Sequence, residues 1–209
     1  MTRISLKWWI ALALTALGGW LRFAGLGDRP LWIDEALFAF WVKDGGERQE
    51  WLSVWFAQAI GAESEFGLRF LSALAGTLTV PAIYLVSRNL YATGLVATFP
   101  LFVFWSQMAR PYSLAGLFAV LGWRWWWFYI PALVATPVAI AGVRITKARW
   151  KVVAGLAILA LGVFLIRPDV GRGWSIEMLL YHSRFAYVPS LAFVLYISDY
   201  LERQGKRIP

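Results

Sequence analysis

The chain has 209 residues, of which 60% are hydrophobic, 17% aromatic and 15% charged, against about 25% charged in a soluble domain. It contains no cysteine, which excludes disulfides, zinc fingers and thiol chemistry. The formal net charge of +8 sits mostly at the ends of apolar runs, as in a positive-inside membrane protein, and no soluble basic face is left to bind nucleic acid. Fourteen Trp suit headgroup depth, where an amphipathic indole is stable. The fold class expected is all-α: a polytopic helical membrane protein forming one membrane domain over 1–209.

Arg3 and Lys7 precede an apolar run from Trp8 to Trp20 that extends to about Leu26, with Arg22 inside it. A basic start and a short apolar core also describe a signal peptide, but the run continues as GGWLRFAGL without an A-x-A site. It reads as a retained first membrane helix with its N-terminus in the cytoplasm. Residues 27–68 follow as the one sizeable polar region, the first extracytoplasmic loop, and eight of the twelve acids lie between Arg22 and Arg69. Within it Ala36–Lys43 suits a short helix and Asp44-Gly45-Gly46 a turn. Gln49–Ile60 places Trp51, Leu52, Trp55, Phe56, Ala59 and Ile60 at helical spacing, as in a helix lying in the membrane interface.

A second span is expected over about Leu68–Leu90, with Pro81 as a tolerated kink, and a third over Leu95–Gln107. Residues 113–143 are apolar except for Arg124, which fits either one long broken helix or a short span followed by a full one. Charge selects between them. RITKARWK at 144–151 carries four basic residues and RQGKR at 203–207 carries three, so both belong in the cytoplasm. With Arg110 outside, one crossing separates it from Arg144, and Ser113–Trp123 is tilted, re-entrant or interfacial. Val152–Ile166 then makes a fifth span, 167–184 an outer loop, and Phe185–Leu201 a sixth span ending in the cytoplasm.

Under this topology Asp34, Glu35, Arg69, Arg110, Tyr112, His182 and Arg184 collect on the outer face. A carboxylate there can deprotonate an acceptor hydroxyl or amine, and Arg matches phosphate with two parallel hydrogen bonds. Arg69 also has a structural reading, as a partner of Glu63 or Glu65. A lone histidine such as His182 makes a poor metal site. A divalent metal would find Asp34 and Glu35 as its candidate ligands and would need water or substrate oxygens to complete its shell.

Four segments together resemble the polytopic GT-C glycosyltransferases, in particular the bacterial branch related to protein O-mannosyltransferases and lipid A aminoarabinose transferases. They are LWIDEALFAF at 31–40, SEFGLRFLSALAGTLTVPAIYLVSRNLY at 64–91, FWSQMARPYSLAGLF at 104–118 and YHSRFAYVPSLAFVLY at 181–196. The resemblance is close over residues 1–120 and looser beyond. It implies a sugar transferase using a polyprenyl-phosphate-sugar donor at the outer face of a bacterial cytoplasmic membrane. Asp34 would be the catalytic base with Glu35 beside it, and Arg110, Arg184, Tyr112 and Arg69 would be candidates for the donor phosphate. The acceptor is a lipid, glycan or protein. Two departures from the family, its roughly doubled length and an acid often found where this chain has Met108, support the alternative of a non-catalytic membrane subunit that works with a partner.

Overall fold

The computed structural model describes residues 5–44, 51–135, 190–195 and 197–198. These are helical throughout their regular structure, with no strand among them. Helix α1 spans Leu6–Phe23, α2 Ile33–Asp44, α3 Trp51–Ala59 and α4 Glu65–Ser87. They are followed by α5 (Leu90–Thr98), α6 (Pro100–Ser106), α7 (Tyr112–Gly122), a 3-10 turn at Trp126–Phe128 and α8 (Tyr129–Ala135). Residues 190–195 and 197–198 are helical as well.

Helix α4 is the central element. Ser64 caps it by accepting the Gly67 N–H at 3.1 Å, and Glu65 in its first turn complements the positive end of the helix dipole. Its 23 residues run through Pro81 to a left-handed cap at Arg88, φ 56°. Among the described residues it alone is long and apolar enough to cross a membrane. Helix α1 packs antiparallel to it. Trp8 at the start of α1 meets Tyr84 near the end of α4 edge-on, with ring centroids 4.9 Å apart, while Phe23 meets Phe66 and Phe70 at the opposite ends.

The expected third span does not form as one helix. Pro100 has no N–H and disfavours helical geometry in the residue before it, so Phe99 is extended and the segment breaks into α5 and α6. Helix α7 differs as well. The interfacial alternative for Ser113–Trp123 does not fit a helix with eight of its eleven residues buried, packed against α4 in the main core with Val80, Ile83, Val96, Phe102 and Trp105. A second, smaller core gathers Phe38, Val54, Ala57, Leu68 and Ala109 beneath α2 and α3. The expected fifth span, the loop 167–184 and most of the sixth span lie outside the described residues.

Candidate functional site

Asp34 and Glu35 open α2, and one step of about 100° around a helix separates their side chains. Glu35 turns inward and is completely buried. Its Oε1 accepts from Arg69 Nε and from the Ala109 amide, each at 2.8 Å. Its Oε2 accepts from Arg69 Nη2 at 2.7 Å and from the Trp32 amide at 3.1 Å, the last as a glutamate three residues into a helix does in a capping box. A carboxylate offers about four lone-pair sites, and protein donors occupy all of them.

Arg69 is saturated in the same way. Besides its two bonds to Glu35, Nη1 donates to the carbonyls of Leu26 at 3.0 Å and Arg29 at 2.9 Å, and Nη2 donates to Pro30 at 3.1 Å. Those are the five donors a guanidinium has. The pairing expected with Glu63 or Glu65 is made with Glu35 instead, and no donor of Arg69 is left to hold a phosphate. The pair ties four pieces of chain together: the 26–32 loop, the start of α2, the first turns of α4 and the junction before α7.

Asp34 faces another arginine. Its side chain is 25% exposed, and its Oδ1 lies 3.7 Å from Arg110 Nη2, an ion contact longer than a hydrogen bond. Two turns along α2, the Trp41 ring lies under the same guanidinium, with Arg110 Cζ 5.6 Å from the ring centroid. Phe38, between Asp34 and Trp41 on that face, is buried in the smaller core and fixes the rotation of the helix. The Arg110 backbone is held too, its carbonyl accepting from the Ser72 hydroxyl at 2.5 Å. A small pocket lies beside Arg110 and Ser72, between Phe38, Phe56, Leu71 and Leu114.

The segment SQMARPYS thus serves as a junction as well as a source of the guanidinium. Ser106 accepts from Arg22 Nε at 3.1 Å, and Gln107 donates to the Leu21 carbonyl near the end of α1 at 2.9 Å. Ala109 donates to Glu35, and Ser113 donates to the Trp105 carbonyl at 3.2 Å. Tyr112 packs edge-on against Trp105, with centroids 5.6 Å apart.

Of the candidates for the site, Asp34 and Arg110 come together, Glu35 and Arg69 form the support behind them, and His182 and Arg184 lie outside the described residues. Trp41 and Ser72 were not anticipated; the signal for Trp41 was its spacing of seven from Asp34, two helical turns. Among the described residues no three of His, Asp and Glu gather. Of the two adjacent acids, Glu35 is saturated by protein donors. Comparison of the chain with family models, with curated proteins and with solved structures finds no match.

Proposed function

We propose that the chain is a polytopic membrane transferase of the GT-C kind, moving a sugar from a polyprenyl-phosphate donor to a lipid, glycan or protein acceptor at the extracytoplasmic face. The single observation that carries this is the meeting of Asp34 and Arg110, the latter beside a small pocket, in front of a saturated Glu35–Arg69 pair. In the proposed step the Asp34 carboxylate takes the acceptor O–H proton and the acceptor oxygen bonds to the anomeric carbon. The bond from that carbon to the phosphate oxygen breaks, and the departing phosphate keeps the electron pair with Arg110 balancing its charge. A donor phosphate would compete with Asp34 for the Arg110 guanidinium. The proposed topology has six crossings with both termini in the cytoplasm, α4 among them.

The test is transfer of a radiolabelled sugar from polyprenyl-phosphate donors to a membrane extract by the purified protein in lipid. Wild-type transfer that is lost in Asp34→Asn and Arg110→Gln, with both variants folded, supports the proposal. A folded wild type that transfers nothing from any donor sinks it and favours the non-catalytic subunit, for which a partner would then be sought.

A further inference from the structure

Helix α2 carries its polar and apolar faces the wrong way round for a helix in water. Glu35 and Phe38 are buried and Asp34 and Trp41 half-buried, so the acids of its first turn face the protein. Its outward face carries Ile33, Ala36, Leu37 and Phe40, all exposed, with Ile33 at 84%, Leu37 at 46% and Phe40 at 57%, and ends in the exposed charges of Lys43 and Asp44. The apolar positions follow the i, i+3, i+4, i+7 spacing of a single helix face, which a surface helix in water fills with polar residues.

The Glu35–Arg69 pair fixes where this stripe lies relative to α4. Arg69 is the fifth residue of α4, about 6 Å along the axis from its start. The 23 residues of α4 give a length of about 34 Å, against roughly 30 Å of bilayer hydrocarbon. With α4 centred in a bilayer, Arg69 and the first turn of α2 bonded to it lie roughly 4 Å inside the hydrocarbon edge. Apolar faces of interfacial helices sink about 5–10 Å into that boundary. A protein partner fits less well. Four side chains are a small part of the roughly 20–30 residues that each side of a stable interface contributes, whereas exposed apolar side chains continue along α1 and α4, including Leu12, Trp20, Phe66 and Leu78.

We propose that α2 lies in the membrane surface with its Ile33–Ala36–Leu37–Phe40 face sunk among the acyl chains of the outer leaflet. The proposal rests on the membrane reading of α4. It places Asp34 at the boundary between acyl chains and headgroups, on the side of α2 turned toward Arg110. A lipid-borne phosphate then meets both residues by moving sideways within the leaflet.

The natural absence of cysteine allows a direct test by spin labels on the variants Leu37→Cys, Phe40→Cys and, as a mid-span control, Leu78→Cys. Each would be reconstituted in phosphatidylcholine–phosphatidylglycerol vesicles, and collision with oxygen, which partitions into lipid, compared with collision with a water-soluble nickel chelate. The expected result is oxygen access and nickel shielding at all three, at a depth of about 5–10 Å for the two α2 labels and deeper for position 78. Nickel access at 37 and 40 with position 78 still in lipid overturns the proposal and leaves the membrane reading of α4 intact. Shielding of 37 and 40 from both reagents also overturns it, because protein then covers the stripe. Nickel access at all three overturns the membrane reading as well.

Discussion

A guanidinium carries five N–H donors, and what those donors meet decides what an arginine can do. In Arg69 all five are held by Glu35 and three loop carbonyls, so its charge is locked into the scaffold. Arg110 is positioned partly by the face of Trp41, and a ring face orients a guanidinium without using an N–H. Two outcomes follow. Glu35→Gln leaves the Arg69 charge buried without its acid and should cost about 3–5 kcal/mol, the usual result of removing one member of a buried pair. Asp34→Asn, at a partly exposed contact, should stay within about 1 kcal/mol of wild type while abolishing transfer. Unfolding of the two variants in mixed micelles separates them. Trp41→Leu should weaken binding of farnesyl phosphate, a short phosphorylated isoprenoid, about 2- to 30-fold, the value of a contact of 0.5–2 kcal/mol, and Trp41→Phe by less. Equal affinity of Trp41→Leu and wild type in a calorimetric titration would rule out that role for the ring. The sequence places Asp34 and Glu35 side by side with nothing to separate their roles. Their difference comes from helix register and from an arginine 34 residues away, neither of which a short motif contains.

At the scale of elements, the break between α5 and α6 accounts for the arginine inside the first apolar run. In a continuous helix the Val96 carbonyl would accept from residue 100, which is a proline with no N–H. Arg22 fills that place. Its Nη2 donates to the Val96 carbonyl at 2.8 Å and its Nη1 to Ala97 at 3.0 Å and Gly18 at 2.9 Å. Room for it depends on Gly76, where a Cβ would stand 2.0 Å from Ser106 Oγ and 2.9 Å from Arg22 Nε. Arg22→Met should therefore cost about 1–3 kcal/mol for each carbonyl it leaves without a donor. Gly76→Ala should destabilise comparably by pushing α4 away from α6. A denaturant titration in which Arg22→Met unfolds together with wild type would refute this account of the break. The apolar run and Pro100 were both legible in the sequence, but their connection was not. It depends on α1 and α5 packing side by side, and periodicity within either segment carries no information about that.

At the scale of the whole molecule, packing sets which segments share an end of the bundle. Arg88 at the end of α4 lies over the Trp8 ring, 5.0 Å to the centroid, and near Tyr84 at 5.8 Å, so Lys7 and Arg88 mark the same end. Asp28, Asp34, Glu63 and Glu65 lie in and beside the loops at the other end, where α1 stops and α4 begins. The helical character and α4 were readable from composition and run length. The break at Pro100 and the burial of α7 were less so, because an apolar window cannot tell a lipid-facing helix from one packed among its neighbours. If the end marked by Lys7 and Arg88 is cytoplasmic, as the proposed topology has it, the two ends must differ in access to a membrane-impermeant maleimide. The variant Lys43→Cys, at the exposed end of α2, should be labelled in intact spheroplasts. Tyr91→Cys, exposed just after the Arg88 cap, should be labelled only after the membrane is opened. The reverse pattern would put Asp34 and Arg110 in the cytoplasm, where an outer-face transferase could not use them. Equal labelling of both sites in intact cells would show that α4 does not separate two compartments, and the membrane reading of the bundle would have to be given up.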